Sequence, residues 1–469
     1  MKDRGNKEIK MSAEKSPGIL YKILRLFTVV HPGEALTAFL LMLNVFMLFL
    51  AYYIIKPVRE ALMLSEWPPE IKSYLGAAIA VLLIFVVKIF SRIASVFPRQ
   101  KLITWVTLFF ISNLGLFYVL HLLGLGPRAM GIIFFIWVGI FNLIVVAQFW
   151  GFATDLYTEE EGKRLFPLVA FGATFGGYVG GKITKWLVVP LGTFQLMLVA
   201  GGVLGICILL ALIIHRREIK RIEAKAVKVG QEKNLKKEEH VKPLKKGGAF
   251  RLVFKSRYLI YIAFFVLFLN FVNTNGGYML DTIAEGAAVK AIETGTAEGL
   301  DKGQYLATFF AGFYNIMNLF AMFVQLLIVS RIFKWFGVRV AIFFLPVLAL
   351  GGYFFISFGA FLLLVKWVKA LENGTDYSLM NTTRTSLFLI TSREEKYKAQ
   401  AVTKTFFHRS GDVLSALLVF LGTTYLAFNI ENFAMVNVVL VLIWIFFGIL
   451  IFRTHKKLST ERIVSPLVR

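Results

Sequence analysis

The sequence predicts an all-α polytopic membrane protein, with twelve transmembrane helices in two pseudo-symmetric six-helix bundles. Three observations predict it. Of 469 residues, 57% are hydrophobic and 17% charged, and the mean hydropathy is +0.70. Soluble chains run at roughly 45–50% apolar and about 25% charged, so much of this surface has to meet lipid. The apolar residues also come in blocks long enough to cross a hydrocarbon core of about 30 Å, which takes about 20 helical residues. Strand-period alternation is absent, which leaves helices rather than a barrel.

Crossings are expected near 35–64, 73–90, 102–123, 129–154, 165–189, 193–214, 258–280, 304–329, 338–357, 359–388, 400–427 and 433–452. Basic residues set their sidedness, because Lys and Arg gather in cytoplasmic segments. Segment 1–34, the turns holding Arg92, Arg99 and Lys101 and then Arg331, Lys334 and Arg339, the stretch 215–257 and the tail 453–469 are all basic. The alternating loops are poor in Lys and Arg, including the acidic run DTIAEGAAVKAIETGTAEGLDKG (281–303). Both termini are therefore expected in the cytoplasm, which requires an even number of crossings. The opening residues mix Lys with Asp and Glu ahead of any apolar run, so they read as neither a secretory signal nor a transit peptide.

The basic stretch 215–257 divides the chain into bundles 35–214 and 258–452, and the two echo each other. SRIASVFPR (91–99) follows the second helix of one half and SRIFKWFGVR (330–339) the second helix of the other. TEEEGKR (158–164) is matched in the same way by SREEKYK (392–398). Parallel six-helix repeats about an axis along the membrane normal are the plan of the major facilitator architecture, which holds its substrate near the midplane between the halves.

Ionisable residues inside crossings cost about 2.5–3.5 kcal/mol each on insertion scales, so each marks a candidate site. In the first crossing Lys56, Arg59 and Glu60 interrupt AYYIIKPVREALML, and Pro57 should kink the helix there. Asp155 closes the fourth crossing, where a plain helix-end carboxylate is an equal reading. The tenth is the most polar. Lys366, Lys369, Asn373, Asp376, Met380 and Arg384 recur at three- and four-residue steps, flanked by Glu372 and Tyr377, as a face lining a water-filled path would. The eleventh opens with His408, Arg409 and Asp412, the last two spaced to pair. Lys and Arg outnumber Asp and Glu in this set, which favours an anionic small molecule such as a phosphorylated one, with Tyr52, Tyr53, Trp150 and Tyr377 available to stack on a base.

Other chemistries find no support. The net charge of +24 sits in loops and termini, as lipid-facing sidedness requires, so nucleic acid is not an expected partner. GGYVGGKI (176–183) mimics a phosphate loop but has Ile183 where Ser or Thr must hold the metal, and no strand precedes it. Its glycines, with Gly172, instead suit close helix packing. Cys207 stands alone in an apolar block, so neither a disulfide nor a Cys-based metal site is expected. No H-E-x-x-H or G-x-S-x-G pattern occurs, so neither enzymatic chemistry nor a metal or organic cofactor is expected.

IKPVRE (55–60), FWGFATDLY (149–157), EEGKRLFPLVAFGA (160–173), DYSLMNTTR (376–384) and EEKYKAQAV (394–402) resemble, in order, signature stretches of the non-mitochondrial ATP/ADP translocases of intracellular bacteria and plastids. The resemblance implies nucleotide exchange by alternating access, in a bacterial cytoplasmic membrane. Lys56 matches that family's Lys before Pro. Asp155 and Arg384 keep the charge of a family Glu and Lys. Two positions depart: Asn273, in LNFVN (269–273), stands for a Glu, and Asp412, after Gly411, stands for a Lys. The expected substrate contacts are Lys56, Arg59, Asp155, Asn273, Lys369, Asp376, Tyr377, Arg384, Arg409 and Asp412, in a protein functional as a monomer. Proton-coupled transport of another organic anion and a membrane scaffold acting through 215–257 stay open as alternatives.

Overall fold

Each long apolar run folds as a long helix. The computed structural model describes residues 34–97, 99–157, 159–229, 248–392 and 395–464. The basic segment 1–33, the centre of the stretch 215–257 and the last five residues lie outside the described residues, and so does the sidedness argument that leans on them. The helices are α1 (Ala35–Glu66), α2 (Pro69–Val96), α3 (Arg99–Leu122), α4 (Pro127–Leu156), α5 (Glu159–Leu191), α6 (Gln195–Val229), α7 (Ala249–Lys255), α8 (Arg257–Glu293), α9 (Lys302–Phe323), α10 (Val329–Trp335), α11 (Gly337–Ala341), α12 (Phe344–Ile356), α13 (Leu362–Thr375), α14 (Asn381–Leu387), α15 (Gln400–Val402), α16 (His408–Thr424) and α17 (Ile430–Val464). Among the described residues nine spans are long and apolar enough to cross a bilayer. Helix α5 and the segmented rods at 362–387 and 395–424 are not among them, because polar residues and π turns interrupt their apolar runs.

Helix α1 keeps its helical winding through Pro57. One element departs from expectation. Helix α8 continues past 280 to Glu293, so much of the acidic run read as a loop is helix, and Asp281 is buried in it. Ala284, Ala288 and Ala291 extend its packed face at helical spacing, and their small side chains let the extra turns stay in contact.

Glycines set the closest helix contacts. A Cβ at Gly180 would lie 2.6 Å from the Leu50 carbonyl oxygen and one at Gly172 2.5 Å from that of Met42, while one at Gly176 would strike the carbonyl of Phe46. This face of α5 therefore lies directly on α1. Its next face meets α9, where a Cβ at Gly181 would reach the Asn315 side chain at 2.5 Å. Helix α5 is thus wedged between α1 and α9, and α2 packs on α16 in the same way. Both contacts join the first part of the chain to the second. Asn44 donates to the Cys207 carbonyl at 2.8 Å, which fixes α1 on α6. Away from these seams, Trp105, Phe109 and Trp186 are exposed, as an apolar belt facing lipid would be.

Candidate functional site

The site begins on α1. Spacings of three and four residues bring Tyr52, Tyr53, Lys56, Arg59 and Glu60 to neighbouring faces of one helix. Lys56 is 9% exposed. Its ammonium lies 4.2 Å from the ring centroid of Tyr314 on α9, 5.3 Å from that of Tyr53 and 5.7 Å from that of Tyr52. Among the described residues Lys56 forms no ion pair. Three ring faces partly offset the cost of removing a cation from water, and none of them cancels its charge. Lys56 therefore stands between α1 and α9 with no acidic partner among the described residues.

One step along α1 the charges are matched. Glu60 pairs with Arg59 and, at 2.5 Å, with Lys72 of α2, and it accepts from the Tyr314 hydroxyl at 3.0 Å. Lys72 also meets Asp281 of α8 at 2.7 Å. Beside this network the Tyr278 hydroxyl of α8 donates to Glu70 of α2 at 2.7 Å. Two cations and two carboxylates link α1, α2, α8 and α9 at one end of the bundle. Neither Lys72, within a loop read as poor in basic residues, nor Tyr314, in an apolar crossing, stood out in the sequence.

On the second part of the chain the expected polar stripe splits. Lys369 is 1% exposed, with its ammonium on Glu372 at 2.8 Å and on the Asn273 carbonyl at 2.9 Å. Tyr353 donates to the same carboxylate at 2.6 Å. The Asn273 side chain donates to Asn373 at 2.6 Å. Lys369 and Asn273 are thus engaged in fastening α8, α12 and α13 together. Met380 is fully buried, and Asp376 is buried against Arg384 at 3.0 Å. The exposed polar face is instead Tyr377, Asn381 and Thr385. The π turn Asp376–Met380 is the physical reason, since its wider i→i+5 winding rotates everything beyond it relative to a plain helix.

Tyr377 is 50% exposed, two turns before Arg384 on the same rod. Arg409 pairs with Asp412 at 3.2 Å. Asp412 also accepts from Asn270 at 2.7 Å and Thr274 at 2.8 Å. Asp155 stands apart. Trp67, just beyond α1, donates to the Arg128 carbonyl at the start of α4, so Glu60 lies near that end. Asp155 is exposed in the last turn of the same helix, about 40 Å away at 1.5 Å per residue.

Comparison with known proteins turns this geometry into an identification. The family model for the TLC ATP/ADP transporter matches residues 130–455. The chain belongs to the TLC ATP/ADP transporter family. A plastidic ATP/ADP transporter of Solanum tuberosum is 26% identical over 168 residues, or 29% of this chain and 26% of that protein. The chain thus matches about a quarter of that relative's length. Among solved structures, the nucleoside transporter NupG superposes with a TM-score of 0.61 at 12% identity, covering 90% of this chain and 99% of its own. A bacterial homolog of the lysosomal transporter Spinster gives 0.53 at 15% identity, covering 92% and 99%. A POT family transporter in complex with a thioalcohol-conjugated peptide gives 0.57 at 13% identity, covering 89% and 96%. At these identities the likeness speaks for the fold, which is the helical fold of facilitator-type transporters. This TLC-family chain is a multi-pass membrane protein of a transporter family, and its tyrosine-ringed lysine stands between α1 and α9.

Proposed function

We propose that this protein exchanges nucleotides across a membrane by alternating access between bundles 35–214 and 258–452, each contributing six crossings. The observation that carries the reading is Lys56, an ammonium with no acidic partner among the described residues, under three tyrosine rings at the seam between the bundles. A phosphate supplies the missing negative charge, and Tyr52, Tyr53 and Tyr377 offer faces to the base. Arg384 and Arg409 now hold Asp376 and Asp412, and each guanidinium keeps further N–H groups free to bind phosphate oxygens. The Glu60–Lys72–Asp281 network ties the bundles at one end, while Tyr377, Asn381 and Thr385 open toward the other. With both termini in the cytoplasm, that open end faces inward.

Lys369 and Asn273 serve this reading as fasteners rather than as ligands, and Asp155 lies at the inner rim, where it acts on entry or gating. The test is exchange in proteoliposomes of the full chain. Labelled ATP should enter only vesicles preloaded with ADP or another nucleotide, and a protonophore should leave the rate unchanged. Flux that ignores internal nucleotide and collapses with the protonophore overturns exchange in favour of proton coupling.

A further inference from the structure

A second compartment lies beside the one just described. A groove of about 540 Å³ runs between α2 and the start of α16, with Phe250 of α7 at its edge. Val81, Ile84 and Val87 of α2 form its apolar wall, and all three are strongly exposed. Lys88, Lys404 and Arg409 also line it, and no carboxylate does. Phe250 stacks edge-on against Phe406 at 5.2 Å and closes the groove on one side.

Lys88 is the informative residue. It is exposed on a span otherwise apolar from 75 to 90, with its ammonium 6.0 Å from the ring centroid of Phe85. It sits two residues inside the expected end of its crossing and one turn before Arg92, so its ammonium reaches headgroup depth. A cation at that depth attracts acidic headgroups of the leaflet. The groove supplies an apolar wall continuous with the belt facing lipid and a head of positive charge on the side of Arg92 and α7. Both features match one molecule, a lipid with an acidic headgroup.

We propose that this groove seats the headgroup and upper acyl chains of one anionic phospholipid, bridging α2 of one bundle and α16 of the other. The lipid's phosphate rests on Lys88, with Lys404 on its far side, and its chains run along Val81 and Ile84. Because the two walls belong to different bundles, the bound lipid biases their relative position.

Native mass spectrometry of the full chain in detergent, titrated with phosphatidylglycerol and with phosphatidylcholine of the same chains, tests this. One phosphatidylglycerol should be retained at tenfold or lower concentration than phosphatidylcholine. Lys88→Gln should erase most of that preference, and Lys88→Arg should restore it, which separates charge from folding. Equal retention of the two lipids, or an unchanged preference in Lys88→Gln, overturns the proposal. Release of the lipid by millimolar ADP or inorganic phosphate also overturns it, because the groove would then belong to the path of a soluble anion.

Discussion

Lys56 and Lys369 are both ammonium groups buried on interior helices, and their surroundings give them opposite roles. Lys369 has Glu372 at 2.8 Å and two further polar partners around the pair. Breaking such a pair by removing one member leaves the other charge buried, at a cost of about 3–5 kcal/mol. Lys369→Met or Glu372→Leu alone should lower the thermal unfolding temperature sharply, and the double variant should recover most of the loss. Lys56 has rings and no counter-charge, so its burial costs stability that only an anionic ligand can return. Lys56→Met should therefore unfold no earlier than the parent while losing at least tenfold in nucleotide exchange, read by thermal shift and by vesicle uptake. A variant that loses stability in proportion to activity would make Lys56 a structural residue.

Helix α5 sets how closely the elements approach. Its glycines let the backbone of α1 pass where any side chain would collide, as at Gly180, with a carbonyl oxygen 2.6 Å from the position of a Cβ. Gly180→Val forces the two helices apart, and overpacking of this kind costs about 1–3 kcal/mol. A lower unfolding temperature is expected, together with slower exchange, because α1 carries Lys56. Gly202 faces open space, and Gly202→Ala should leave both unchanged. The π turn at Asp376–Met380 works on the same scale. It leaves Tyr377 exposed and turns Met380 into the packing.

Across the whole molecule, polar links join α1, α2, α8 and α9 at one end, and under the proposed alternating access these are the contacts that part for the opposite opening. Glu70 and Tyr278 make one such link. Cysteines at both positions, joined by a short bis-methanethiosulfonate reagent, should stop exchange, and a reductant should restore it. The one native cysteine, Cys207, is buried and offers no competing thiol. Exchange at the parent rate after complete cross-linking would show that this end does not open during transport.

The sequence by itself determined the class of the protein. Lipid is a demanding solvent, and apolar run length, small-residue spacing and intramembrane charges are direct imprints of it. It also located Lys56, Asp376, Arg384, Arg409 and Asp412, because an ionisable residue in an apolar run is visible without a structure. What it left open was partnership. Lys56 and Lys369 look alike in sequence, and only the placement of Glu372, Tyr353 and Tyr314 separates a free cation from a fastened one. A helical stripe drawn at even steps could not foresee the π turn, whose extra residue per turn leaves no trace in composition. Lys72 and Asp281 escaped because each gains its meaning from a helix more than two hundred residues away in the chain. Charge pairing across that distance is decided by packing, and packing is what the tertiary structure supplies.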